Sequence, residues 1–220
     1  MIRALIFDFD GLILETEGPS YQSWVEVYQS FGHSLPFSTW SKNIGTTRGD
    51  FDPRLELQRL LNDTPDWENV ESKRQASENA MIEIRSILPG VEAYLGDARR
   101  LGLKIGLASS SSCRWVVGHL TRLGLSDSFD CICASDDVQY IKPDPELYLS
   151  VLQRLDVRAE EAIALEDSPI GIRAAKGAGL YCVAVPNPLT RQLPLGEADF
   201  QLDSLDTMPL EQLLDKINSH

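Results

Sequence analysis

Four short segments carry side chains whose types and spacing could do chemistry. Asp8-Phe9-Asp10-Gly11 sets two carboxylates at a spacing of two, with a glycine behind them that permits a sharp turn. Alternate residues of an extended segment face the same way, so both acids leave it together. Such a pair divides labour: one attacks as nucleophile or binds a metal, and the other moves a proton. A second acidic pair, Glu166-Asp167, stands before Ser168 and Pro169. A helix N-cap accounts for Asp167 or Ser168 taken singly, but two acids matching two others call for more than a cap. Carboxylate oxygens gathered at one point suit Mg²⁺, a hard cation that keeps several waters and pairs with phosphate. In Ser109-Ser110-Ser111-Ser112 the first hydroxyl could donate to a phosphate oxygen, helped by N–H groups at the next helix start. A polar loop ending in an N-cap explains the later serines. Lys142 sits in Ile141-Lys142-Pro143-Asp144-Pro145, a segment stiffened by two prolines. Held beside the acids, it could neutralise a phosphoryl group and an attacking carboxylate.

The elements around these segments are short apolar runs separated by amphipathic stretches. Residues 2–9, 104–108, 131–134, 162–165 and 181–185 read as buried strands, with a weaker one at 199–202. Residues 91–101, 114–123, 145–155 and 170–178 read as helices, and Gly102, Gly124 and Gly179 stand where helix C-caps belong. Alternation of strand and helix predicts an α/β fold with a Rossmann-like, doubly wound parallel sheet. Ligands of such sheets bind beyond the carboxyl ends of the strands. The first strand ends in Asp8-Phe9-Asp10-Gly11, and Ser109 and Glu166-Asp167 each follow a strand.

One region breaks the alternation. Between residues 15 and 87 there is helical periodicity and no convincing strand. Tyr21, Trp24, Val25 and Tyr28 mark one helix face, Leu57, Leu60 and Leu61 a second, and residues 70–84 a third. Gly45-Thr46-Thr47-Arg48-Gly49 interrupts it as a loop. The expected organisation is a core of residues 1–14 and 88–220, with an all-helical insert of residues 15–87 after the first strand.

The 220 residues, 43% hydrophobic and 24% charged, exclude wholesale disorder. With 20 Lys+Arg against 33 Asp+Glu, the formal charge of −13 argues against nucleic-acid partners and docking on anionic membranes. Cys131 and Cys133 are separated by one residue, not two, so they form no CxxC pair, and the four cysteines read as small buried hydrophobes. Three scattered histidines offer no metal-ligand spacing. No apolar run reaches membrane-span length and the N-terminus lacks a signal-peptide pattern, so the expected location is the cytoplasm and the expected state a monomer.

Taken together, FDFDGLILETE, Ser109, KPDPELY and LEDSPIGIRAAKGAG resemble the haloacid dehalogenase superfamily, in its branch with a helical cap after the first strand. The resemblance covers essentially the whole chain. It implies that Asp8 attacks phosphorus to form an aspartyl-phosphate, and that Asp10 protonates the leaving oxygen and then deprotonates water. It implies that Ser109 and Lys142 hold phosphoryl oxygens, with Ser110 beside them. Mg²⁺ would be bound by Asp8, the Asp10 carbonyl and Asp167, with Glu166 a direct or indirect contributor. An acid at position 10 favours phosphate chemistry, since the family's dehalogenases lack one there. Lys42 and Lys73, the insert's lysines, lie in no motif resembling the Schiff-base lysine of the family's phosphonate hydrolases.

The resemblance extends to β-phosphoglucomutase-like mutases, whose cap arginine grips a distal phosphate as Arg48 could here. Those mutases usually have a histidine where this chain has Ser20, and its absence favours hydrolysis. Glu15 replaces the usual aspartate at the cap linker, one methylene longer. The implied activity is a Mg²⁺-dependent phosphatase acting on a small phosphorylated metabolite such as a sugar phosphate. A mutase, or a non-catalytic binding module on the same fold, is the alternative.

Overall fold

The structure is a computed structural model of the chain and describes residues 1–42, 44 and 51–218. It divides into two compact units, Met1–Leu14 with Ser86–His220, and Glu15–Arg85.

The first unit is a six-stranded, all-parallel sheet. Its strands are β1 (Ala4–Phe7), β2 (Lys104–Ala108), β3 (Cys131–Cys133), β4 (Ala162–Glu166), β5 (Tyr181–Ala184) and β6 (Phe200–Gln201), in the order β3-β2-β1-β4-β5-β6. β1 is central because ALIF is apolar at every position, and all four side chains are buried. The chain winds outward through β2 and β3, then returns to place β4 on the other side of β1. That reversal is the topological switch point of a doubly wound sheet. Register then aligns the strand ends: Phe7 lies opposite Leu107 and Leu165, so the residues that follow emerge side by side.

The connecting helices of this unit (numbered after the four of the second unit) are α5 (Val91–Arg100), α6 (Cys113–Arg122), α7 (Glu146–Leu155), α8 (Pro169–Gly177) and α9 (Leu210–Asn218). Strand and helix bounds follow the expected ones to within a few residues. α9 has no counterpart among the expected helices. Its buried Leu210 and Leu213 anchor it, a stripe too short to stand out among polar residues. Under the sheet, Tyr148, Val151 and Ile172 pack with Ala4, Ile6 and Ala164. Leu14 bridges Ile87 antiparallel, and the Leu88 N–H donates to the Ile13 carbonyl, so the outgoing and returning segments are paired.

The second unit is helical, with α1 (Glu17–Ser30), α2 (Phe37–Trp40), α3 (Pro53–Leu60) and α4 (Trp67–Glu83). Its buried faces differ from the expected ones. On α1 the buried residues include Ser23, Trp24, Val27 and Tyr28, with Val25 only half-buried. On α3 Leu57 alone of the three leucines is buried, and Leu60 is exposed. An eight-residue helix offers one seam, and Tyr28, whose hydroxyl donates to the Pro53 carbonyl, aligns that seam through Leu57. Asn43 and residues 45–50, with the candidate Arg48, lie outside the described residues.

All four cysteines are free. Cys133 and Cys182 are buried as expected, but Cys131 at the sheet edge is only half-buried and Cys113 is exposed because it opens α6 on its solvent side. No helix among the described residues is long and apolar enough to cross a membrane.

Candidate active site

The mouth of β1 and β4 gathers Asp8, Glu166 and Asp167, each buried, with one carboxylate oxygen apiece lying within 4.8 Å of the others. Lys142 reaches them from the loop before α7. Its ammonium donates to Asp8 Oδ1 at 2.5 Å, Glu166 Oε1 at 2.6 Å and the Ala108 carbonyl at 2.8 Å. All three of its protons are thereby directed. The ring of Tyr148 lies 5.0 Å from this ammonium, and the Tyr148 hydroxyl donates to Glu166 Oε1 at 2.6 Å.

Glu166 is the last residue of β4 and is fully buried. Its Oε2 accepts the Asp167 N–H and lies near the Ser168 hydroxyl. The carboxylate presses on the first turn of α8, where a Cβ on Gly171 would come within 2.0 Å of it. Glycine at 171 is required by that approach. Both Glu166 oxygens are engaged, so this residue anchors Lys142 and the start of α8 whatever else it binds.

Three buried carboxyl groups face one buried ammonium, so with all three ionised negative charge exceeds positive. Burial pushes the Asp8 carboxyl up to about 8, against the pull of Lys142, and Glu166 and Asp10 add to the rise. Lys142 is raised above its ordinary value by Asp8 and Glu166, which overcome the cost of burying it. A divalent cation would supply the missing charge. The all-oxygen donor set suits a hard ion such as Mg²⁺.

Asp10 stands at the same mouth. Its Oδ2 accepts the Ser111 hydroxyl at 2.6 Å and the Ser109 hydroxyl at 3.4 Å, and its Oδ1 accepts the Trp115 indole N–H at 3.0 Å. Ser109 also accepts the Ser111 N–H at 3.0 Å. Ser112 is the N-cap of α6, as the cap explanation of the later serines requires. The Ser110 hydroxyl is buried and has no hydrogen-bond partner among the described residues. On the far side, Asn187 donates to Asp167 Oδ2 at 2.8 Å. Gly11 holds a left-handed conformation, φ +85°, and a Cβ there would meet Asp167 Oδ2 at 2.2 Å.

The structure thus brings together Asp8, Asp10, Ser109, Lys142, Glu166 and Asp167, from four loops far apart in sequence. Sequence reasoning missed Ser111, Trp115, Tyr148 and Asn187. Ser111 had a signal, since it lies two residues beyond Ser109 and so on the same side of an extended loop. Asn187 follows a buried strand between two prolines, the position where the other site residues were found. Tyr148 and Trp115 are helix residues of ordinary amphipathic type and carried no signal.

A parallel α/β sheet thus carries a buried lysine–carboxylate cluster at its switch point. Residues 5–185 match the family described as haloacid dehalogenase-like hydrolase, and the chain belongs to it. It is similar to "Putative phosphatase YhcW" of Bacillus subtilis (strain 168), 47% identical over 219 residues, covering 100% of this chain and 99% of that one. It is 33% identical over 183 residues to the "Phosphorylated carbohydrates phosphatase" of Thermotoga maritima, covering 81% and 82%. A crystal structure of β-phosphoglucomutase from Clostridium difficile superposes with a TM-score of 0.76 at 29% identity, covering 100% of this chain and 98% of that one. The chain is a haloacid dehalogenase-like hydrolase of the phosphatase class.

Proposed function

We propose that this protein is a Mg²⁺-dependent phosphatase that hydrolyses a small phosphate monoester of the sugar-phosphate type through an aspartyl-phosphate on Asp8. The observation that carries it is the buried Asp8 carboxylate, held by Lys142 beside Asp167, with Asp10 two residues away at the same strand mouth. Asp8, Asp167 and the Asp10 carbonyl would hold the cation, with Glu166 fixing Lys142. Bound there, Mg²⁺ would offset negative charge on the phosphoryl group.

In the first half-reaction a carboxylate oxygen of Asp8 attacks phosphorus and the ester P–O bond breaks. Asp10 gives a proton to the leaving alkoxide. In the second, water attacks the same phosphorus, its proton passes to Asp10, and the bond between phosphorus and Asp8 breaks to free inorganic phosphate. Lys142 orients Asp8 and offsets its charge, and Ser109 and Ser110 offer hydroxyls to the phosphoryl oxygens. Such chemistry is mostly positioning and electrostatic stabilisation. Residues 1–14 and 88–220 would form the catalytic core, and the helical insert of residues 15–87, with Arg48, would set substrate preference.

Support for the substrate class comes from the relative named for phosphorylated carbohydrates. The likeness to a β-phosphoglucomutase favours a phosphosugar mutase as the second reading. Phosphate release from a panel of sugar phosphates, with and without Mg²⁺, tests the first. Conversion of β-glucose 1-phosphate to glucose 6-phosphate without phosphate release would establish the second. Release that ignores Mg²⁺, or none at all, would overturn the phosphatase assignment.

A further inference from the structure

Asn187 follows β5 and is buried, yet neither family motif nor charge points to it. Its Oδ1 accepts the N–H groups of Leu189 at 2.9 Å and Thr190 at 3.0 Å, and its own N–H donates to Thr190 Oγ1 at 3.0 Å. Two N–H donors on one side fix which end of the amide is oxygen. The NH₂ end therefore faces Asp167, and it donates to Oδ2 at 2.8 Å. Gly11 approaches the same oxygen from the β1 loop, so Asp167 is fixed from two directions.

That contact takes a lone pair of one Asp167 oxygen, Oδ2, and disfavours that oxygen as a second contact to a cation. The distinction matters to a cation. Mg²⁺ takes near-ideal octahedral geometry with one oxygen per carboxylate, whereas Ca²⁺ takes six to eight oxygens and accepts bidentate carboxylates. An Asp167 held by Oδ2 suits the first and opposes the second. Lys142 engages Asp8 Oδ1 in the same way.

We propose that Asn187 is a positioning residue that makes this site select Mg²⁺ over Ca²⁺, by keeping Asp167 a one-oxygen ligand. This rests on the metal site of the proposed function.

The test is calorimetric titration of the metal-stripped full-length protein with Mg²⁺ and, separately, Ca²⁺. In Asn187→Ser the hydroxyl still accepts from the loop N–H groups but is too short to reach Asp167. Its Mg²⁺ affinity falls roughly tenfold, the lower end for a lost outer partner of a metal ligand, and the Mg²⁺/Ca²⁺ affinity ratio falls with it. Asn187→Asp keeps the loop acceptors and replaces the donor with a further oxygen, so its ratio also shifts toward Ca²⁺. Thr190→Val unties the loop but leaves the amide in place. It lowers the melting temperature and leaves the ratio unchanged.

An unchanged ratio in the two Asn187 variants, or an equal loss in Thr190→Val, overturns the proposal and leaves the phosphatase assignment standing. A wild-type protein that binds neither cation overturns both.

Discussion

Among the described residues, each of the two units buries one cation among carboxylates, and the two clusters are built differently. In the helical unit, Arg74 on α4 is clamped by Glu71 and Glu78, three residues before and four after it on the same helix. It also donates to the Ser23 hydroxyl and lies over the face of Trp24 on α1. Both carboxylates reach solvent in part, and the two flank a single guanidinium. In the sheet unit, Lys142 meets Asp8 and Glu166 from distant parts of the chain, and every group is buried. The first cluster ties two helices and keeps its charges in touch with water. The second concentrates negative charge where water is scarce, the arrangement that the proposed nucleophile and cation site would use.

Substitutions that treat the clusters alike should separate them. The largest effect is expected for Asp8→Asn, which removes the attacking oxygen while keeping the acceptor for Lys142. Turnover drops by roughly a thousandfold or more, as for loss of other nucleophiles, while circular dichroism shows an intact fold. Residual turnover within tenfold of wild type would remove Asp8 from its role.

Lys142→Met comes next. It strands two buried carboxylates, and breaking a buried pair in this way costs about 3–5 kcal/mol. Chemical denaturation at neutral pH without added cation should show that loss, and Mg²⁺ should recover part of it. Arg74→Met should cost less, about 1–3 kcal/mol, since its partners can turn to solvent when their charged hydrogen bonds go. Its kinetics with a small aryl phosphate should change less than those of Lys142→Met. Equal losses in the two variants would erase the contrast drawn above.

The smallest effect is in pH. Hydrogen bonds from Arg74 hold the Glu71 carboxyl below its usual range. A lowered carboxyl gives stability that is present above its unfolded value of about 4.3 and lost as pH falls through the folded one. The helical unit should therefore loosen on acidification below about pH 4, and Arg74→Met should lack that component. Trp24, Trp40 and Trp67 lie in this unit against Trp115 in the other, so tryptophan emission reports it selectively.

The residues Asp8, Asp10, Glu166 and Asp167 were legible because strand ends in a parallel sheet are readable from apolar runs, and two acidic pairs at two such ends call for more than a cap. Lys142 was legible through its two prolines. Less of the helical unit was readable. α1 has apolar residues at several offsets, and only packing selects Val27 over Val25 for burial. Cys113 looked buried by type, and its place at the outer start of α6 decided otherwise.

What the sequence determined by itself is local. It set where strands and helices lie, which acids leave which strand, and that a helical insert follows the first strand. Arg74 with Glu71 and Glu78 belongs here too, since helical spacing alone makes them meet. Only the tertiary structure decided that Lys142 spends its three protons on Asp8, Glu166 and Ala108, that Trp115 and Ser111 hold Asp10, and that Asn187 occupies an oxygen of Asp167. Those contacts join segments separated by up to 134 positions, and no periodicity in a chain encodes a distance across it. The register of β1 between β2 and β4 sets that distance, by packing apolar strands in the one order that buries them all.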